Sequence, residues 1–171
     1  MEDIIAPVSK ELLKAELTAD KKLRCTNKSH NEIYVVTYQD SPNVVREIGR
    51  LREIAFRASG GGTGLSLDLD EFDTMENPYK QLIVWDPDVE EILGGYRYLL
   101  GREVKVNEEG QPILATSHMF HFSEKFMKKN QYDVPEKAIL FQAVLITVLL
   151  AGVNLFSAVE TIYNVLVTMT A

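Results

Sequence analysis

The sequence predicts an α+β domain built on one central sheet with helices against it, and three observations carry that reading. Apolar residues recur at helical spacing after two serine-led starts. β-rich runs bounded by turn residues lie between and after those segments. Helical and extended segments follow one another in the order helix, strand, helix, strand, strand, helix, which suits an α/β or α+β fold around one sheet. The 171 residues, 46% hydrophobic and 25% charged, have the size and composition of one globular domain with a sizeable core.

Each element has a local cause. Ser9 before "KELLKAEL" reads as a capped short helix with Leu12, Leu13 and Leu17 on one side. "EIYVVTYQ" (Glu32–Gln39) is β-rich and reads as the first strand. Ser41 as N-cap and Pro42 at the first helical position start a second helix. Val44, Ile48, Leu51 and Ala55 give it one apolar face as far as about Arg57, where the glycine run stops it. "QLIVWD" (Gln81–Asp86) and "EILGGYRYLL" (Glu91–Leu100) read as strands joined by the turn "DPDVE", an antiparallel hairpin. Gly94 and Gly95 inside the second of these predict a bulge or a close backbone approach. "GREVKVNEEGQPI" is loop or short hairpin, and a further helix is expected from about Ser123.

From Ala138 to Val159 no residue is charged. A helix needs roughly 20 apolar residues to cross a bilayer, so this stretch is long enough to span. Lys125, Lys128, Lys129 and Lys137 precede it and Glu160 follows, so a spanning segment would leave the N-terminal part cytoplasmic. Its Val, Ile and Thr content equally suits a buried core helix or buried strands. The expected organisation is therefore a domain over 1–130 and an apolar segment over 138–159. The net charge of −7, with no dense Lys/Arg stripe, argues against nucleic acid as a partner. Cys25 is the single cysteine and no signal peptide is visible, so a cytoplasmic setting is expected, inner-membrane associated if the apolar segment anchors it.

The chemistry concentrates in "RASGGGTGLSLDLDEFD" (Arg57–Asp73). The glycine run lacks the Lys of a phosphate-binding loop and follows a helix rather than a strand, so it reads as a flexible helix exit. Asp68, Asp70, Glu71 and Asp73 crowd negative charge. If extended, Asp68 and Asp70 share a face, raise one another's pKa and attract a cationic substrate such as an amine. A solvated acidic turn is the plain alternative on charge alone. Arg97, set in an apolar strand beside two glycines, needs a carboxylate partner that this cluster could supply, and Arg52 and Arg57 are further candidates. His118 and His121 have a spacing compatible with a metal, but no third ligand accompanies them, and no metal is expected. No serine-nucleophile signature is present, and nothing around Cys25 suggests an activated thiol.

Taken together, "REIGRLREIAFRASGGGTG", "LDLDEFD", "YKQLIVWD", "EILGGYRYLLG" and "TSHMFHFSEKF" resemble bacterial N-acyltransferases of the GNAT superfamily that make amino-acid lipids. These include ornithine-lipid synthases and the Bacteroidetes glycine-lipid type, some of them labelled hemolysins, and the acyl-homoserine-lactone synthases share a related layout. The matching positions are Arg52, Phe56, Asp68, Asp70, Asp73, Gly95 and Arg97, within about Val45 to Lys128. The resemblance implies a GNAT-like mixed sheet, incomplete if the donor-side half is missing. It also implies transfer of a fatty acyl chain from acyl carrier protein to the amine of an amino acid or aminolipid precursor, at a membrane surface, in lipid biosynthesis. It implies catalytic roles for Asp70, Asp73 and Arg97, and substrate binding by Arg52, Phe56, Asp68 and Glu71. No cofactor is expected, the donor being acyl carrier protein thioester or acyl-CoA. After about Lys129 the chain departs from the family, where a strand, a Gly-rich turn and a helix would be expected. A frameshift, a truncation or a divergent anchor would each produce that break. The alternative function is accordingly a non-catalytic or truncated acyltransferase-like protein that is membrane-anchored or binds a partner.

Overall fold

In the computed structural model, residues 1–27, 30–117, 119, 121–125 and 139–147 are described. Helix α1 spans Lys10–Glu16, and Ser9 starts it by accepting the Leu12 N–H at 3.5 Å on its side chain. Leu13 and Leu17 are buried, but Leu12 is 48% exposed, because adjacent helical positions diverge by about 100°. Strand β1 (Lys22–Cys25), which has no β-rich signature, pairs with β2 (Glu32–Val36). The strand expected first in the chain is thus the second.

Helix α2 runs Pro42–Ala58. Its serine does not cap it as expected: the Ser41 hydroxyl donates to Asp40 at 2.7 Å and accepts from Lys21 at 3.0 Å. Glu16, at the end of α1, caps it instead by accepting the backbone N–H groups of Asn43 and Val44 at 3.1 and 2.9 Å. A carboxylate there satisfies free donors and complements the positive end of the helix. At the other end Gly60 has φ 78°, the left-handed conformation expected of a glycine stop.

After the short helix α3 (Glu71–Thr74) come β3 (Lys80–Asp86) and β4 (Glu91–Leu100), as the two apolar runs predict. Asp86 organises their turn by accepting the N–H groups of Asp88 and Val89. Strand β5 (Ile139–Thr147) completes a sheet in the order β1-β2-β3-β4-β5, all four pairings being antiparallel. These nine residues of the apolar segment 138–159 are strand and not helix, while 138 and 148–159 lie outside the described residues. Among the described residues no helix is long and apolar enough to cross a membrane. The helix expected from Ser123 falls largely outside them.

Both faces of β3 are covered. Ile83 and Trp85 join Tyr34, Val36 and Ile92 beneath α1 and α2, where Val44, Val45, Ile48 and Leu51 complete the cluster. Ile33, Leu82, Val84 and Tyr98 form a second cluster on the other face. Near the start of β4 the pairing jumps from Val84–Gly94 to Trp85–Ile92, leaving Leu93 as one extra residue. This is the bulge that the two glycines signalled, and its effect is large. Ile92 faces the helices, so strict alternation would turn Arg97 to the far side; the extra residue restores Gly95, Arg97 and Leu99 to the helix side. The close approach is present as well, since a Cβ on Gly95 would lie 2.5 Å from the Leu82 carbonyl oxygen.

Candidate active site

Four elements bring the charged groups together. Arg52 lies on the buried face of α2 and Arg97 on the helix face of β4, 3% and 4% exposed. Gln81 pairs directly with Arg97 across β3 and β4, which puts both side chains on one face. The carboxylates arrive from the segment between α2 and β3. Asp70 has extended backbone angles but opens α3 rather than continuing a strand, so the expectation of Asp68 and Asp70 on one strand face does not hold. Asp70 and Asp73 form a reciprocal cap: each side chain accepts the other's backbone N–H at 3.1 Å.

Asp73 is fully buried and saturated. Its Oδ1 accepts from Gln81 Nε2 at 2.9 Å. Its Oδ2 accepts from Arg52 Nη1 at 2.8 Å and lies 3.0 Å from Arg97 Nη1. Asp70 takes Arg97 as a two-pronged pair, at 2.9 and 2.8 Å. The Arg97 guanidinium also stacks over Tyr79, 5.2 Å from the ring centre, and Tyr79 meets Phe72 edge-on at 5.8 Å. Asp68 is held least: its Oδ1 is 3.4 Å from Arg52 Nη2. The Nε–H groups of Arg52 and Arg97 are buried and have no acceptor among the described residues.

The carboxylates are not equivalent. Burial pushes Asp70 up, but the hydrogen bonds and charge of Arg97, with Arg52 behind, outweigh it and hold Asp70 below the usual carboxylate range. Burial pushes Asp68 up; the charge of Arg52 opposes it and Asp73 adds to it, and the net direction is upward. Mutual elevation of the whole cluster is therefore not what forms. A paired arginine lowers one member, and desolvation raises another.

Arg52, Asp68, Asp70, Glu71 and Arg97 form the polar wall of an open cleft whose apolar side is Phe72, Ala115 and Met119. Two arginines face four carboxylates, Asp73 included, so the wall is net negative and suits a cation. Phe56, expected with them, is half-buried on α2 and does not line the cleft. His118 lies outside the described residues, as does any pairing with His121.

Four supporting residues carried a weak signal or none. Gln81 and Tyr79 flank the start of an apolar strand, where a lone amide and a phenol look ordinary. Gly49, inside an amphipathic helix, was the legible one. There, midway along α2, the helix meets Asp68–Leu69 so closely that a Cβ would lie 2.7 Å from Leu69 Cγ and 3.1 Å from the Asp68 carbonyl oxygen. The Asp68 N–H donates to the Gly49 carbonyl at 3.2 Å, which seats Asp68 beside Arg52. Glu53 is the hidden one. Fully buried, it accepts from Thr63 N–H (3.0 Å), Thr63 Oγ1 (2.7 Å), Gly64 N–H (2.8 Å) and Arg57 Nε (2.6 Å). The glycine run, expected as a flexible exit, is clamped to α2 by these bonds.

The site therefore lies where an antiparallel sheet under two helices meets an Arg/Asp-lined cleft, at the strand bearing the glycine bulge. A family model described as "Acetyltransferase (GNAT) domain" matches residues 51–138, and the chain belongs to that family. It is 74% identical over 129 residues to the glycine N(alpha)-acyltransferase of Phocaeicola vulgatus, covering 75% of this chain and 40% of that protein. It is also 74% identical over 129 residues to the glycine N(alpha)-acyltransferase of Bacteroides thetaiotaomicron, covering 75% of this chain and 38% of that protein. The chain thus spans about two fifths of the length of these curated relatives. No solved structure matches it.

Proposed function

We propose that this chain supplies the amine-side site of an N-acyltransferase, which moves a fatty acyl group from an acyl carrier protein thioester to the α-amine of glycine. The observation that carries the reading is the net-negative cleft wall, on which Arg52 and Arg97 fix Asp68 and Asp70 at the edge of open space, with Asp73 buried behind them. The name of the two relatives supports glycine over ornithine as the amine.

The division of labour differs from catalysis by Asp70 or Asp73. Asp73 has both oxygens occupied by buried partners, and Asp70 is tied down by Arg97 and held ionised. Their role is to fix the two arginines and to maintain a negative field that draws in an ammonium group. Phe72, Ala115 and Met119 give the cleft an apolar side that lowers water content near the reacting nitrogen. The basic flank of Lys125, Lys128, Lys129 and Lys137 supports action at an anionic membrane surface, where fatty acyl products partition.

The purified chain is incubated with acyl carrier protein carrying a fatty acyl thioester and labelled glycine, and N-acylglycine is measured in the organic extract. Parallel reactions with acyl-CoA and with ornithine identify the donor and the amine. Label in N-acylglycine is the expected result. A folded chain that forms no acylated amine with either donor overturns the reading for this chain and favours the non-catalytic alternative.

A further inference from the structure

Asp68 differs from the other cleft carboxylates in what surrounds it. Asp70 and Asp73 are engaged on both oxygens, whereas Asp68 has one long contact, from Arg52 to Oδ1. Its Oδ2 has no hydrogen-bond partner among the described residues. Only 12% of the side chain is exposed, and that part opens on the cleft.

The backbone at Asp68 is also held in place against α2. Gly49 lets residues 68–69 lie directly on α2, and the Glu53 clamp returns the chain from the helix end to that position. We infer that Asp68 is the catalytic residue that receives the substrate ammonium and takes its proton. The inference rests on the amine-side reading of the cleft and goes further by assigning the acceptor.

The step balances as follows. One ammonium N–H bond breaks and an O–H bond forms on Asp68 Oδ2, which frees the nitrogen lone pair. That pair forms the N–C bond to the thioester carbonyl carbon, and the C–S bond breaks. The second nitrogen proton neutralises the departing thiolate, and Asp68 returns its proton to solvent through the open cleft. The groups facing Asp68 are Arg52 and Glu53 from α2, Asp73 from α3 and Arg97 from β4, with Asp70 and Glu71 beside it on the cleft wall. Burial and the neighbouring carboxylates favour the protonated form, and the two arginines stop short of cancelling that preference. A base displaced upward in this way is better matched to neutral pH than its paired neighbours.

The test uses the whole chain as wild type, Asp68→Asn and Asp68→Glu, with circular dichroism confirming equal folding. Initial rates with acyl carrier protein thioester are measured against glycine concentration from pH 5 to 9. The asparagine variant is expected to lose at least about 100-fold in kcat/KM for glycine, within the usual range for a general base, together with the acidic limb of the pH profile. The glutamate variant should restore part of the rate and move that limb. A second readout does not need turnover: NMR titration of each chain with glycine methyl ester, an amine without a carboxylate. Saturable binding that is lost in Asp68→Asn and kept in Asp68→Glu is expected. Binding or transfer by Asp68→Asn within about threefold of wild type overturns the assignment. Asp68-dependent binding without transfer upholds the ammonium site and overturns the acyl-transfer reading. Absence of both in wild type overturns both.

Discussion

Asp73 has no exposed surface and touches no part of the solvent, yet two arginines from different elements converge on it. A buried carboxylate of this kind is tolerated because Gln81, the Asp70 N–H and both guanidinium groups saturate it. Removing one partner from a buried ion pair leaves the others without compensation, which is far more damaging than breaking a surface pair. Asp73→Asn should therefore destabilise the fold by about 3–5 kcal/mol, read from urea unfolding. A loss under about 1 kcal/mol would show the network to be solvated in solution. At this scale the sequence was partly legible: an arginine amid apolar strand residues demands a carboxylate, and Arg97 found two. Which aspartate binds and which stays open was not legible, because Asp68, Asp70 and Asp73 differ only in what packs on them.

At the scale of elements, the bulge at Leu93 decides the site. One extra residue reverses the inward and outward sense of the rest of β4 and so puts Arg97 under α2 rather than on the opposite face. Gly95 keeps the strand close to β3 just beyond it. Gly95→Ala places a Cβ 2.5 Å from the Leu82 carbonyl oxygen, and a backbone atom in a central pairing cannot step aside cheaply. The expected result is a loss of about 3 kcal/mol or failure to accumulate as folded protein, at the upper end of overpacking effects. Thermal unfolding and a soluble-fraction assay measure it, and an unchanged midpoint would contradict the close approach. The glycines were visible in the sequence as an anomaly in a strand. The capping box of α3 has little local signature, since the carboxylates of "DEFD" suit an extended acidic run as well as a helix start. Glu16 capping α2 was out of reach, its partners being 27 and 28 residues away.

Across the whole molecule, buried carboxylates tie stability to pH. Burial pushes Glu53 up, but the Thr63 hydroxyl, Arg57 and the backbone N–H groups of Gly64 and Thr63 outweigh it and hold it at about 2, against 4.5 for the free group. A folded-state pKa below the unfolded one contributes stability that is complete above pH 4.5 and is lost as pH falls toward 2. Asp70, also lowered, acts in the same direction, while Asp68, raised, favours the folded state on protonation and opposes it slightly. Urea midpoints should be nearly flat from pH 7 to 5 and fall below about 4.5, and Glu53→Gln should flatten the acid limb. A midpoint that rises on acidification would contradict the clamp. The sequence by itself determined the fold class, the bounds of α1, α2, β3 and β4 within a residue or two, and the pairing of Arg52 and Arg97 with the acidic cluster. Those follow from short-range causes: helical periodicity, strand composition, turn residues and the cost of an unpaired charge. Only the tertiary structure decided that the glycine run is clamped by Glu53, that Asp70 and Asp73 are saturated, and that Asp68 keeps one oxygen without a partner among the described residues. Those facts depend on which groups meet across the fold, because a carboxylate's proton affinity and availability are set by the charges and desolvation around it and not by its position in the chain.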